Sequence, residues 1–66
     1  MDALVSFIVD LLCHYSIWLP LDDIETMATA RGWNDTITRR VLKQLAKDGL
    51  VETVMISGIE HYRAAQ

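Results

Sequence analysis

The apolar residues of this chain recur at helical spacing in three segments and at strand spacing near the C-terminus. In the first segment, about residues 2–15, apolar side chains follow one another at intervals of mostly three or four positions. That period predicts an amphipathic helix with one face against a core. The residues of this predicted face are Leu4, Ile8, Leu11, Leu12 and Tyr15.

A second apolar stripe, made of Val5, Val9 and Cys13, runs beside the first one. A helix that faces a single small core needs only one stripe. Two interpretations are open: the core wraps the helix on more than one side, or the second stripe is a dimer seam. The apolar content of 52% favours association. We therefore predict a homodimer through helix one, with a buried, inert Cys13 thiol.

The middle of the chain predicts a short strand followed by a second helix. Residues 17–19 (IWL) are β-prone, and Pro20 is expected to end the run. Asp22 and Glu25 have the spacing of a capping box, so the second helix is expected to begin near Asp22.

A tight turn joins this helix to a third one. Gly32 has the position of a left-handed cap, and Trp33 is expected to fill the space between helices two and three. Helix three is predicted over Asp35–Lys47, with Gly49 after its end. A short glycine-containing turn between two amphipathic helices indicates a helix-turn-helix. The predicted buried stripe of helix three is Ile37, Val41, Leu42 and Leu45.

After Leu50 the period changes to that of strands. Ser57 and Gly58 predict a two-residue hairpin turn, which sets the register of the two strands. The predicted pairs are Ile56 with Ile59, Val54 with His61, and Glu52 with Arg63. The face expected to meet the core holds Val51, Thr53, Met55, Tyr62 and Ala64.

Composition narrows the class of protein. The 66 residues predict one domain over residues 1–66. The single cysteine excludes an internal disulfide, and neither histidine has metal-ligand spacing, so no metal or other cofactor is expected.

The apolar run 3–12 is too short for a bilayer and lacks the basic flank of a signal peptide, so we expect no membrane span and a cytoplasmic location. Cys13 and His14 point about 100° apart on a helix, so we predict no catalytic dyad and no enzyme.

The charge is polarised along the chain. The net charge is −3, with −5 over residues 1–30 and +2 over residues 31–66. A helix that carries most of a small protein's positive charge on its solvent side suggests a nucleic-acid contact. A solvated basic face without a ligand is the alternative. The bases of helix three outside its apolar stripe are Arg39, Arg40, Lys43 and Lys47.

The ordered set of segments resembles the winged helix-turn-helix superfamily. Residues 19–24 (LPLDDI) look like the start of that family's second helix, and 31–33 (RGW) like its turn. Residues 41–51 (VLKQLAKDGLV) resemble the end of its recognition helix, and 61–63 (HYR) its return strand. The resemblance implies an α+β fold with three helices, a short strand and a C-terminal hairpin wing, in the order α-β-α-α-β-β. One departure is Thr38, where many such helices carry an aliphatic residue.

We predict that the basic side of helix three contacts double-stranded DNA, as in a transcriptional regulator. Arg39, Arg40, Lys43 and Lys47 are the candidates for phosphate contacts. Thr36, Thr38 and Arg39 lie at the front of the helix and are the candidates for reading bases.

The alternative is a protein-interaction adaptor in a larger complex, which uses its apolar wing and helix one. The tip of the wing is apolar where DNA-binding wings usually carry Arg or Lys. Its candidate contact residues are Val54, Ile56 and Ile59.

Overall fold

The computed structural model describes residues 2–65 and contains three helices and a three-stranded antiparallel sheet. The elements are α1 (Ala3–Tyr15), β1 (Leu19–Pro20), α2 (Leu21–Ala30), α3 (Asp35–Lys47), β2 (Val51–Ile56) and β3 (Ile59–Ala64). The sheet order is β1-β3-β2. This is the predicted α+β architecture with the layout of a small winged helix-turn-helix.

Side-chain caps begin α1 and α3. The carboxylate of Asp2 accepts a hydrogen bond from the backbone N–H of Leu4 at 2.9 Å. The side chain of Asn34 does the same for the N–H of Ile37, also at 2.9 Å. Each cap satisfies a backbone donor that has no partner within the helix. The predicted bounds of α3 are confirmed.

The first strand lies slightly later in the chain than predicted. β1 consists of Leu19 and Pro20, whereas Ile17 is exposed and outside the sheet. Pro20 is tolerated there because β1 is an edge strand, where a missing N–H removes no necessary ladder bond.

The predicted capping box of α2 is wrong. The residue before the helix is Pro20, and none of the described side chains caps the helix start. Asp22 remains in the first turn, where the helix dipole favours an acid. Glu25 instead pairs with Arg39 of α3.

The two helices of the helix-turn-helix end in the same way. Gly32 has a φ of 97°, and the N–H of Trp33 after it donates to the carbonyl of Ala28 at 3.1 Å. The same pattern ends α3 at Gly49. Trp33 is half-buried and its ring lies 5.2 Å from that of Phe7, so it also packs on α1 rather than only between α2 and α3.

The front of α3 is rotated relative to the prediction. Thr38 is completely buried, while the neighbouring Ile37 is 43% exposed. The Thr38 hydroxyl donates to the carbonyl of Asn34 at 2.9 Å, so its polar group is satisfied inside the core. The buried stripe of α3 is therefore Thr38, Leu42 and Leu45, with Val41 half-buried beside it.

The hairpin has the predicted turn and register. Ser57 and Gly58 both have positive φ, which is the geometry of a type I′ turn. The face assigned to the core is buried only at its base, at Val51 and Tyr62. Met55, on the same face, is 62% exposed because the outer half of the hairpin extends beyond the helices.

The core gathers residues from all three helices and all three strands. Its buried apolar residues are Leu4, Ile8, Leu12, Leu19, Ile24, Ala28, Leu42, Leu45, Val51 and Tyr62. Over residues 2–65, no helix is both long enough and apolar enough to span a membrane.

Candidate nucleic-acid interface

One side of α3 presents a row of polar and basic side chains to solvent. Its members are Thr36, Arg40, Lys43 and Lys47, all exposed. At about 100° per residue, the four positions fall within a sector about 60° wide. The row lies opposite the buried stripe of α3, so the helix separates its core side from its basic side. We call this surface the basic row.

The three cations of the basic row are available to a ligand. Within the described residues, none of Arg40, Lys43 and Lys47 forms a salt bridge. Thr36, Arg40 and Lys43 also line one shallow depression on the protein surface, together with Arg39. The side chains are spaced at one-turn intervals, so they can meet successive phosphates along a polyanion.

Arg39 differs from the other bases of α3, because its guanidinium is already paired. Its Nε donates to the carboxylate of Glu25 on α2. The hydrogen bond with Glu25 and the charge of that carboxylate raise the pKa of Arg39 above its usual value. Asp35 and Asp22 add to the same effect. Acidic side chains therefore lie near the first turn of α3, whereas the cations of the basic row lie further along the helix.

Thr38 does not belong to the interface. It was a candidate for reading bases, but it lies in the core and donates its hydroxyl to a backbone carbonyl. A helix presents only about half of its circumference to a ligand, and residue 38 lies on the opposite half from Arg40.

The tip of the wing is an apolar surface. Val54, Ile56 and Ile59 are exposed as predicted, and Met55 joins them from the opposite face of the hairpin. Met55 was assigned to the core because the alternation of the strand cannot show how far the helices cover the hairpin.

The hairpin offers no free cation for DNA in the part of the chain that is described. Its basic residue Arg63 donates to Glu52 at 2.9 Å and lies 4.3 Å above the ring of Trp18. These contacts hold the guanidinium at the base of the wing. The structure thus separates a basic surface on α3 from an apolar surface on the wing.

The second stripe of α1 is partly used within the monomer. Val5 and Val9 are half-buried and pack against the core. This agrees with the interpretation that the core wraps α1 on more than one side. Cys13 is exposed, which corrects the expectation of a buried thiol. The homodimer through helix one stays a prediction.

A groove between α1 and α2 was not found from the sequence. It has a volume of about 480 Å³, with Phe7, Leu11 and Met27 among its apolar lining residues and Asp10 and Arg31 among its polar ones. Phe7, Leu11 and His14 have helical spacing, which was the signal that the sequence offered, although Leu11 was assigned to the core-facing stripe. Arg31 lies 5.0 Å from the Phe7 ring centroid, so part of the groove is occupied by the protein's own cation–π contact.

Over the described part of the chain, no group of three or more His, Cys, Asp or Glu side chains is arranged to hold a metal ion. Comparison with known proteins adds no further assignment. Neither a scan against protein-family models nor searches of curated proteins and of solved structures found a match.

Proposed function

We propose that this protein binds double-stranded DNA through the basic row of α3 and acts as a small transcriptional regulator. The observation that carries the proposal is that Arg40, Lys43 and Lys47 lie together on the outer side of the helix, exposed and without salt bridges among residues 2–65. In a helix-turn-helix the second helix of the motif is the one that enters the major groove. Here that helix is α3.

The proposed contact is mainly with phosphates. Each cation that neutralises a phosphate releases counterions, so affinity falls as the salt concentration rises. Three free cations are few, and the net charge of −3 opposes a polyanion at long range. We therefore expect weak binding by one copy of the chain, with a strong dependence on salt.

Arg39 is less available for reading bases than the other bases of α3. Its Nε donates to Glu25, so a contact with guanine would compete with this ion pair for the position of the guanidinium. Thr36 is the exposed polar residue at the front of the basic row, and it takes no part in an ion pair among residues 2–65. We propose Thr36 as the first residue to contact a base edge, with Arg40 beside it.

The test is a titration of a fluorescent duplex of about 20 base pairs by anisotropy, at several salt concentrations between about 25 and 150 mM. Arg40→Ala and Lys43→Ala are each expected to weaken binding and to reduce the slope of log K against log salt by about 1. Arg31→Ala removes the same charge from the end of α2, where Arg31 lies over Phe7. This control is expected to leave the slope unchanged.

Two results would contradict the proposal. One is the absence of binding at about 25 mM salt, where phosphate contacts are strongest. The other is an equal loss of affinity in Arg40→Ala and Arg31→Ala, because that would indicate a response to net charge rather than to the basic row.

A second candidate function is that of a protein-interaction adaptor. The observation that favours it is the exposure of Val54, Ile56 and Ile59 at a wing tip without a basic residue. Exposed apolar patches rimmed by polar residues mark sites of protein contact. Loss of a protein partner in Ile56→Glu, together with no binding to DNA at low salt, would favour this function over the first.

A further inference from the structure

The sheet of this protein has one long open edge. Within residues 2–65 its order, β1-β3-β2, leaves β2 unpaired on its outer side along all six residues. From Glu52 to Ile56 every residue of β2 is exposed. The other edge is β1, which has only two residues, one of them Pro20. An unpaired strand presents backbone donors and acceptors that can pair with another chain.

The alternation of hydrogen-bonded pairs along the hairpin determines which backbone groups of β2 face the open edge. A two-residue turn makes Ile56 and Ile59 a hydrogen-bonded pair, and such pairs alternate along an antiparallel ladder. The N–H of Ala65 donates to the carbonyl of Leu50 at 3.1 Å, which fits the same alternation. The residues of β2 whose N–H and C=O groups face the open edge are therefore Val51, Thr53 and Met55.

The open edge lacks the features that usually prevent pairing. β2 contains no proline and no lysine, and its register with β3 runs without a bulge. Its one charged residue is Glu52, and Arg63 neutralises that charge from β3 at 2.9 Å. The exposed side chains at its outer end are those of Val54, Met55 and Ile56.

We infer that β2 pairs with β2 of a second copy of the chain. The two strands run antiparallel around a two-fold axis at Thr53, which joins the two sheets into one of six strands. In this register all three outward-facing residues of each copy find a hydrogen-bonded partner. A register centred on Val54 would place Val51 opposite the turn and lose part of the ladder. The proposed pairs are Thr53 with Thr53, Val51 with Met55, Glu52 with Val54, and Leu50 with Ile56 of the second copy.

The side chains support a second copy as the occupant. Glu52 lies opposite Val54, so the two copies do not bring like charges face to face. Leu50 is exposed in the monomer and meets Ile56 of the second copy, so two exposed apolar residues become paired on each side. The edge is thus complementary to itself, as a two-fold interface requires.

The other edge of the sheet explains why the assembly stops at two copies. After β2 has paired, the free edges of the joined sheet are the two copies of β1. Pro20 has no N–H to donate, and a strand of two residues offers almost no ladder. We therefore expect a closed dimer and no fibre. The inference does not depend on DNA binding, and its test contains no DNA.

The first measurement is sedimentation equilibrium of the unmodified chain from about 10 µM to about 1 mM. The range extends to high concentration because a contact of one strand with one strand is expected to give a weak dimer. The mass is expected to rise from 7.5 kDa to twice that value. Met55→Pro removes an N–H that faces the open edge and leaves the β2–β3 ladder intact. It is expected to weaken the dimer at least tenfold.

Two control variants locate the interface. Cys13→Glu places a charge on the exposed side of α1, and Ile59→Lys removes an exposed apolar side chain from β3 rather than from the edge. Both are expected to dimerise within about threefold of the unmodified chain, since neither removes a backbone group of the open edge.

A spectroscopic readout keeps the inference testable if Met55→Pro does not fold. In a sample that mixes isotope-labelled and unlabelled chains, an intermolecular Hα–Hα NOE is expected between Glu52 and Val54, which form a close non-hydrogen-bonded pair about 4.5 Å apart at Cα. A chain that stays monomeric at about 1 mM overturns the inference. So does a dimer that lacks this NOE, one that Cys13→Glu abolishes, or an assembly that keeps growing beyond two copies.

Discussion

Tyr62 is the side chain at which the sheet meets the helices. It is buried on the central strand β3, with Leu19 of β1 and Thr53 of β2 as its neighbours in the ladder. Its hydroxyl donates to the carboxylate of Glu60 at 3.2 Å. Burial, followed by the charge of Glu60 and this hydrogen bond, raises the pKa of Tyr62 above its usual value of 10.0, and a hydrogen bond with Thr53 opposes the shift.

The raised pKa predicts a loss of stability in alkali. Below pH 10 the phenol is protonated in both the folded and the unfolded chain. Above it the unfolded chain ionises first, so the free energy of unfolding falls as the pH rises through the higher pKa of the folded state. Urea titrations between pH 8 and about 11 are expected to show a steeper fall for the unmodified chain than for Tyr62→Phe. Parallel curves for the two proteins would contradict the assignment.

Thr38 shows how one buried hydroxyl is accommodated. The carbonyl of Asn34 accepts hydrogen bonds from both the backbone N–H and the side chain of Thr38, so the buried polar group has its partner within the same turn of helix. Ile37 takes the exposed position next to it because Asn34 caps its N–H and fixes the start of the helix. The rotation removes Thr38 from any ligand and leaves an exposed aliphatic beside the basic row.

Among the elements, the hairpin shows most directly how local residues set a larger structure. Its turn requires positive φ at both central positions, and Gly58 adopts this conformation without strain. Ser57 adopts it with a φ of 52°, which is unfavourable for a residue with a β-carbon. The register of the wing, and with it the open edge of β2, therefore depends on one unfavourable residue.

Ser57→Asn is expected to raise the free energy of unfolding by about 0.5 kcal/mol, because asparagine tolerates the left-handed region better than serine does. Ser57→Ala is the matched control, and no gain is expected from it. Chemical denaturation at a low protein concentration measures both variants without a contribution from association. If the asparagine and alanine variants are equally stable, the turn is not the type I′ turn described above.

At the scale of the molecule, polar contacts between side chains connect the two helices of the helix-turn-helix. Arg39 of α3 pairs with Glu25 of α2, and the hydroxyl of Thr29 donates to Asp35 at 3.1 Å. The side chain of Glu25 is only 12% exposed, so its carboxylate depends on Arg39 for charge compensation. Arg39 therefore helps to hold the angle between the two helices, a different role from that of Arg40.

Arg39→Ala is expected to lower the melting temperature, since it leaves the mostly buried carboxylate of Glu25 without its partner. Arg40→Ala removes the same charge one residue later and is expected to leave the melting temperature unchanged. Adding Glu25→Gln to Arg39→Ala is expected to restore part of the lost melting temperature, because it removes the carboxylate charge that Arg39 no longer compensates. Equal melting temperatures for the two single variants would contradict this role of Arg39.

The local features of this protein were predictable from neighbouring residues. The helical periods located three helices, the glycines after α2 and α3 located their ends, and Ser57-Gly58 located the hairpin with its register. Each of these depends on interactions between residues a few positions apart. For the same reason the exposed bases of α3 were assigned correctly to its outer side.

The features that the sequence left undecided all depend on contacts between distant segments. The burial of Thr38, the pairing of Glu25 with Arg39, the exposure of Met55 and Cys13, and the open edge of β2 follow from how the helices and sheet are placed against one another. A helix rotated by about half the angle between successive residues keeps the same local period and nearly the same local energy. Only packing against the other elements distinguishes the two rotations of the helix about its axis. That packing exists only in the folded molecule.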